Sequence, residues 1–187
     1  MMKVTQSSNR QPPVQQDDRK PPSPAGRFFA SIDWVRLLVC LTIPLAAGGI
    51  AGALLGQSME RYEPLRKPAL APPGWLFPPV WIALYALMGV ALYLTSTSCP
   101  PEYRKERARA YAAFGVQLAL NLLWPAVFFF LEQPAWAVVV ILALMLAIAW
   151  TMDRFARCNA LSARLLIPYL VWTAFAAYLN IGITLLN

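Results

Sequence analysis

The sequence predicts an all-α membrane protein built as a bundle of five transmembrane helices. Of its 187 residues, 58% are apolar and only 13% are charged, so a soluble domain would have too little polar surface to cover itself. The apolar residues also fall into five runs, each long enough to cross a hydrocarbon core of about 30 Å as a helix. The predicted spans are residues 34–55, 76–95, 110–131, 134–152 and 165–186.

The positions of the acidic residues agree with these spans. All nine, from Asp17 to Asp153, lie outside the apolar runs or at their ends. A charge at the centre of a span costs about 2.5 to 3.5 kcal/mol, so this distribution is the one that a bilayer requires. The spans therefore lack the embedded carboxylate on which a proton pump usually relies.

The first 30 residues differ in composition from the rest of the chain. They contain several prolines among Gln, Ser, Asp and Arg, with almost no large apolar side chain. Such a segment cannot bury enough surface to fold, and no small-residue cleavage site marks it as a signal peptide. We expect residues 1–30 to form a disordered cytoplasmic tail and residues 31–187 to form one transmembrane domain.

The basic residues predict the orientation. Thirteen of the 16 Lys and Arg residues lie before or at the start of the first span or after the second and fourth spans, and only Arg61, Arg66 and Lys67 lie on the opposite side. This bias predicts a cytoplasmic N-terminus, and a helical bundle favours a bacterial inner membrane. Because the net charge of +7 is divided among the loops, it does not indicate nucleic-acid binding.

The sequence offers no cluster of histidine or cysteine that could bind a metal. It contains no histidine, and its three cysteines, Cys40, Cys99 and Cys158, are far apart. No spacing of these residues indicates a zinc site or a dithiol. We therefore predict no metal, and we interpret each cysteine as an ordinary small apolar residue.

The first loop, from about Gly56 to Trp75, is the one long connection in the bundle. A proline-rich loop of this length in a compact domain is typical of a lid or a binding loop, although a stiff solvated linker remains the alternative. Its cations could contact anionic groups of a ligand, with ordinary solvation as the alternative. The candidate lid residues are Arg61, Arg66, Lys67, Pro72 and Pro73.

Glycines recur at four-residue spacing in the first span, at Gly48, Gly52 and Gly56. This stripe lets another backbone approach closely. Its partner is either a helix of the same bundle or a second copy of the chain in a homodimer. Pro44, one turn earlier, should bend the span.

Three spans carry aromatic and amide side chains on one face, at spacings of three or four residues. Amides inside a membrane must meet another helix, a water molecule or a ligand, and interhelical hydrogen bonding is the simpler alternative. Flat aromatic faces suit a flat conjugated ligand. The candidate ligand-binding residues are Trp81, Tyr85, Gln117, Asn121, Trp124, Trp172, Ala176 and Asn180.

In three segments the sequence resembles the family of tryptophan-rich sensory proteins and translocator proteins, formerly called peripheral-type benzodiazepine receptors. The resemblance extends over residues 34–187, in order and with matching spacing. Its residues are Lys67, Pro68, Pro72, Pro73, Trp75, Pro79, Trp81 and Tyr85, then Gln117, Asn121, Trp124 and Pro125, then Pro168, Tyr169, Trp172, Ala176 and Asn180.

The resemblance implies a ligand pocket beneath the first loop that accepts porphyrins, notably protoporphyrin IX, as ligands and not as covalent cofactors. Trp81, Trp124, Trp172 and Ala176 would line it, with Asn121 and Gln117 as polar contacts. The implied function is that of a membrane receptor or sensor. Some bacterial relatives are reported to degrade porphyrin in light, which makes Trp81 and Trp172 the catalytic candidates.

A carrier of tetrapyrroles or sterols across the membrane is the rival function, although no inverted repeat is visible. Leu70, Ala71 and Leu122 differ from the residues of mammalian relatives, which predicts different ligand preferences. No basic residue follows Arg164 in the last span. The forward cholesterol motif is therefore absent, and the reversed pattern of Arg164, Tyr169 and Val171 is a weak match.

Overall fold

The computed structural model describes residues 32–55 and 64–187. In this part of the chain five helical segments are long and apolar enough to cross a membrane, which confirms the predicted fold class. These segments are Trp34–Ala53, Gly74–Ser98, Arg104–Phe130, Pro134–Ala156 and Ala160–Leu186. The tail predicted for residues 1–30 lies outside the described residues, as do Gly56 and Arg61 of the first loop.

Six α-helices make up these spans, and we number them in chain order. They are α1 (Trp34–Leu55), α2 (Phe77–Ser98), α3 (Arg104–Pro125), α4 (Pro134–Ala156), α5 (Ala160–Arg164) and α6 (Ile167–Leu186). Short 3-10 turns, Gly74–Leu76 and Pro101–Tyr103, precede α2 and α3, and a π-helical turn, Ala126–Phe130, continues α3.

The second to fifth spans extend beyond the predicted ends because their helices continue into the polar or charged sequence beside the apolar runs. α3 begins at Arg104 instead of residue 110, and α4 ends at Ala156 instead of residue 152. Apolar runs report the thickness of the hydrocarbon, whereas a helix can project past it. Prolines lie in the first turn of α2, α4 and α6, where a backbone N–H has no intrahelical partner to lose.

The main core lies among α2, α3, α4 and α6. Met88, Ile148, Phe155 and Tyr169 are completely buried in it. The ring of Phe114 stacks on that of Phe155 at a centroid distance of 5.9 Å. A second, smaller cluster contains Val127, Phe128, Ala137 and Ile183.

Close approach of α1 to α2 depends on glycine at two places. A Cβ atom on Gly89 would lie 2.7 Å from the Cα atom of Leu41, and one on Gly48 would collide with the ring of Tyr85. Gly48 therefore makes its close contact within the bundle, as one of the two interpretations of the stripe predicted. Gly52 differs, since a Cβ atom there would meet nothing within 4 Å.

The interpretation of the cysteines was wrong for two of the three. Cys99 and Cys158 form a disulfide, with Cα atoms 4.6 Å apart and a separation of 59 positions in sequence. Distance in sequence was misleading because the second and fourth spans end at the same end of the bundle. Cys40 is buried and free, which confirms the prediction of a small apolar residue there.

Candidate ligand-binding site

A cavity of about 450 Å³ lies among α1, α2, α3 and α6. This volume is within the range of about 300 to 1,000 Å³ typical of small-molecule sites. Its wall includes Gly74 of the first loop, so the cavity lies where a pocket beneath that loop was predicted. The main side-chain contributors are Leu45, Phe77, Trp81, Ile82, Tyr85, Asn121, Trp124, Phe128, Phe129, Ala176, Leu179, Asn180 and Ile183. No charged residue of the described part of the chain contributes to this wall.

The first helix leaves space for the cavity by having almost no side chain on this face. Gly48, Gly49 and Gly52 all line the cavity. A Cβ atom added to Gly49 or Gly52 would have no neighbour within 4 Å. The glycine stripe therefore has two roles, since Gly48 allows packing against Tyr85 while Gly49 and Gly52 border open volume.

Aromatic rings form two walls. Trp81 stacks on Tyr85 with a centroid distance of 5.5 Å and an interplanar angle of 30°. On the other side Trp124 stacks on Phe128 at 5.7 Å, and Phe128 meets Phe129 edge to face at 4.6 Å. Packed rings of this kind form rigid apolar surfaces with π faces available for stacking.

A chain of hydrogen bonds joins three helices at the inner end of the cavity. The hydroxyl group of Tyr85 donates to Asn121 Oδ1 at 2.6 Å, and Asn121 Nδ2 donates to the hydroxyl oxygen of Tyr169 at 2.9 Å. Asn121 and Tyr169 are almost completely buried. The amide of Asn121 is therefore satisfied inside the bundle, as interhelical hydrogen bonding predicted, and this chain forms the floor of the cavity.

A second pair of polar side chains lies in the cavity wall. The indole N–H of Trp124 donates to Asn180 Oδ1 at 3.0 Å, and Asn180 Nδ2 donates to the carbonyl oxygen of Pro134 at 2.9 Å. These bonds fix the plane of the Trp124 ring and connect α3, α4 and α6. The ring is consequently held in one orientation before any ligand binds.

Two of the eight candidate binding residues do not line the cavity. Gln117 is completely buried between α3 and α2, where its Nε2 atom lies 4.0 Å from Met88 Sδ. Trp172 packs against Phe77 at 5.9 Å. Gln117 lies four residues, or about 6 Å of helix, deeper than Asn121 and is therefore beneath the floor of the cavity. Trp172 lies along α6 between Tyr169 of the floor and Ala176 of the wall, but its ring is not part of the wall.

The structure adds residues that the sequence did not single out. Phe128 and Phe129 reach the cavity from the π-helical turn that follows Pro125. Such turns often occur at functional sites, but the sequence signal here was only a proline followed by three phenylalanines. Leu179 and Ile183 also line the cavity. They were not predicted, because apolar residues are ordinary in a membrane span and only the polar and aromatic residues of α6 gave a signal.

The described part of the first loop is fastened to the end of α6. The backbone N–H of Arg66 donates to Asn187 Oδ1 at 3.0 Å, and Asn187 Nδ2 donates to the carbonyl oxygen of Arg66 at 3.0 Å. The hydroxyl group of Tyr178 donates to the carbonyl oxygen of Ala69 at 2.7 Å. A Cβ atom on Gly182 would lie 2.6 Å from Pro68, so the loop lies directly on the helix.

Of the predicted lid residues, Arg66 and Lys67 lie in this fastened segment. Pro72 and Pro73 lead into the turn Gly74–Leu76, and Pro73 caps it. None of these four residues lines the cavity, whereas Gly74 does. In the described part of the loop, Gly74 therefore borders the cavity, while Arg66 and Lys67 lie outside its wall.

Comparison with known proteins agrees with this architecture. The sequence model of a protein family, described as "TspO/MBR family", matches residues 40–186. The "Tryptophan-rich protein TspO" of Chlorobaculum tepidum is 39% identical over 154 residues, which cover 81% of this chain and 95% of that protein. The "Tryptophan-rich sensory protein" of Cereibacter sphaeroides is 34% identical over 84% of this chain and 94% of its own length.

A human relative, named "Translocator protein", is 38% identical over 125 residues, which cover 67% of this chain and 73% of that protein. Bacterial and animal relatives thus each match two thirds or more of this chain. Because the family model extends over most of the chain and these identities exceed 30% across most of both proteins, the chain belongs to the TspO/MBR family.

Proposed function

We propose that this protein is a receptor or sensor of the membrane that binds flat hydrophobic ligands, with porphyrins such as protoporphyrin IX as the favoured class. The observation that carries the proposal is the aromatic cavity of about 450 Å³, opened on one side by Gly49 and Gly52. Rigid π faces on one side and bare backbone on the other accommodate a plate better than a globular ligand. The family names of the relatives are consistent with this class of function.

The absence of charge from the described wall determines how an anionic ring would lie. A buried carboxylate without a partner is very costly, so the carboxylates must stay at the mouth while the ring enters. Arg66 and Lys67 lie on the described part of the loop that borders the cavity at Gly74, so they are the cations that we expect the carboxylates to meet at that end. The ring, and not the carboxylates, should then supply most of the affinity. We therefore expect esterification of the carboxylates to weaken binding only modestly.

The ligand reaches the cavity from the side of the bundle. The described loop is bonded to α6, which restricts entry from above. Several wall residues on α1 and α2 are at the same time exposed on the outside of the bundle, where lipid would lie. They are Leu45, Gly49, Gly52, Pro78 and Ile82. A hydrophobic ligand dissolved in the bilayer could pass between these two helices.

Binding is favoured over transport by the floor of the cavity. The chain Tyr85, Asn121 and Tyr169 closes the inner end with two buried hydrogen bonds. A carrier would have to break these bonds to release its cargo on the other side. The orientation and membrane predicted from the sequence, an inner membrane with a cytoplasmic N-terminus, form part of the proposal.

A second activity, light-dependent oxidation of the bound porphyrin, is favoured by the position of Trp81. Its indole lines the cavity and stacks on Tyr85, so an excited ring would have an oxidisable partner in contact. Molecular oxygen would be the terminal oxidant. The protein would supply only the position of the indole.

The test of the proposal is a titration of the purified protein in lipid nanodiscs with protoporphyrin IX, followed by tryptophan fluorescence. We expect saturable quenching with a fixed stoichiometry. Empty nanodiscs with added free tryptophan are the control for partitioning and inner-filter effects. Quenching that rises without saturation, in parallel with the control, would contradict the proposal.

A further inference from the structure

The disulfide between Cys99 and Cys158 lies outside the ligand cavity and has no part in the function proposed above. Cys99 directly follows α2, and Cys158 lies in the turn between α4 and α5. Cys99 is buried, with 5% of its surface exposed, whereas Cys158 is partly exposed. Of the two residues, Cys158 is therefore the one that a molecule outside the bundle reaches more readily.

Hydrogen bonds hold both cysteines in place independently of the bond between their sulfur atoms. The backbone N–H of Cys99 donates to the carbonyl oxygen of Thr95 at 3.2 Å, and that of Cys158 donates to the carbonyl oxygen of Phe155 at 3.0 Å. These contacts belong to the ends of α2 and α4. Breaking the disulfide would therefore leave the two thiols close together.

The residues beside the cysteines make a second connection between the same segments. Asn159 Nδ2 donates to Ser98 Oγ at 2.9 Å, while Asn159 Oδ1 accepts the N–H of Leu161 at 2.8 Å and caps α5. One amide thus positions the start of the fifth span against the end of the second. Re-formation of the disulfide needs no large movement, which is a requirement for reversible chemistry.

This end of the bundle carries a strong excess of positive charge. α3 begins here and α4 ends here, and the ends contain Arg104, Lys105, Arg107, Arg109, Arg154, Arg157 and Arg164 against Glu102, Glu106 and Asp153. Clustered charge of one sign attracts small molecules of the opposite sign. The same charge bias predicts a cytoplasmic location, where disulfides are usually transient and sense redox conditions.

We propose that Cys99 and Cys158 form a reversible thiol–disulfide exchange site for anionic low-molecular-weight thiols and disulfides of the glutathione type. The inference rests on the paired cysteines, the greater exposure of Cys158 and the cationic surroundings, and it does not require that the cavity bind porphyrin. The disulfide would hold the end of the second span against the start of the fifth, and its reduction would remove this covalent link.

The order of the exchange steps follows from the greater exposure of Cys158. In the oxidising direction the Cys158 thiolate attacks a small disulfide, forming a mixed disulfide and releasing one small thiolate. The Cys99 thiolate then displaces a second small thiolate from Cys158, so two protein thiols lose two electrons and one small disulfide gains them. Each released thiolate takes up one of the two protons that the protein thiols lose. Reduction reverses these steps and begins with attack on Cys158 Sγ.

The experiment uses the full chain in nanodiscs with Cys40→Ala, so that only the two cysteines respond. The protein is equilibrated in buffers with varied ratios of reduced to oxidised glutathione, quenched with acid and labelled with a maleimide of high mass. We expect two labels in reducing buffers, none in oxidising buffers, and full reversibility. A bond that persists in all reducing buffers, or thiols that stay free in all oxidising buffers, would overturn the proposal.

Single variants test the order of steps. With oxidised glutathione, Cys99→Ser should accumulate a mixed disulfide on Cys158, seen by mass spectrometry, and Cys158→Ser should react much more slowly. The reverse order of reactivity would refute the assignment of Cys158 as the accessible sulfur. Added salt should slow exchange with glutathione but not with the neutral hydroxyethyl disulfide, and an equal effect on both would remove the role of the cationic surroundings.

Discussion

The hydroxyl group of Tyr85 donates a hydrogen bond to Asn121 Oδ1 at 2.6 Å, and this bond joins the second and third spans at the floor of the cavity. Removing the hydroxyl in Tyr85→Phe leaves a buried amide oxygen without its donor, at a cost of about 1 to 3 kcal/mol. We expect a lower midpoint of thermal unfolding in detergent. Tyr111→Phe is the matched control, because that ring lies on the exposed side of α3. Equal midpoints for the two variants would contradict a structural role for this bond.

The two tryptophans that the sequence offered as catalytic candidates should behave differently. Trp81 lines the cavity, whereas Trp172 lies one turn below the level of Ala176 and packs against Phe77. Under illumination at saturating protoporphyrin IX, Trp81→Phe should slow the loss of the porphyrin absorption band, and Trp172→Phe should leave the rate near that of the parent. Loss of stacking in Trp81→Phe should also weaken binding by about 0.5 to 1.5 kcal/mol.

Two other outcomes of the illumination experiment would have different meanings. If both variants bleach the porphyrin at the parental rate, Trp81 is only part of the wall. If porphyrin bound to the parent protein is bleached no faster than free porphyrin in the same detergent, the proposed oxidative activity is refuted and the binding proposal stands.

Filling the open face of α1 should block the ligand. Gly52 borders free volume in the cavity, so Gly52→Leu should fit without a clash and occupy ligand space. Gly115→Leu is its control, since Gly115 also has no neighbour within 4 Å but lies outside the cavity. We expect porphyrin affinity to fall at least tenfold for Gly52→Leu alone, measured by fluorescence quenching. A similar loss for both variants would point to a general effect of added bulk.

The contact between the loop and α6 should hold the loop in place without controlling ligand exchange, because the ligand passes between α1 and α2. Asn187→Ala removes both side-chain hydrogen bonds to the backbone of Arg66. We expect faster hydrogen–deuterium exchange in residues 64–70 and an unchanged rate of dissociation of bound porphyrin in stopped-flow chase experiments. Faster dissociation of porphyrin from Asn187→Ala would show that the ligand leaves beneath the loop.

The number of spans and their approximate limits followed from the sequence because hydrocarbon thickness imposes one length on every apolar run. The helical faces of Asn121, Trp124, Ala176 and Asn180 were also predictable, since polar groups inside a membrane need partners. Depth was not predictable. A face contains every fourth residue, and only packing determines that the cavity ends at Asn121 instead of at Gln117.

The disulfide was missed for a related reason. Cys99 and Cys158 end different spans, and their closeness depends on which helices are neighbours in the bundle, which no local pattern reports. The π-helical turn that brings Phe128 and Phe129 to the cavity likewise depends on packing after Pro125. Long-range arrangement, and not local preference, therefore separates the predicted site from the observed one.

The central claim is that porphyrin binds in the cavity beside Ala176, and a pair of alanines on α6 tests it most directly. Ala176 is buried in the cavity wall, whereas Ala174, half a turn away, is exposed on the outside of the bundle. Binding isotherms of protoporphyrin IX should be measured for the parent, Ala176→Leu and Ala174→Leu in the same nanodiscs. The account predicts a large loss of affinity for Ala176→Leu and a parental isotherm for Ala174→Leu. Parental affinity in Ala176→Leu would show that porphyrin binds elsewhere.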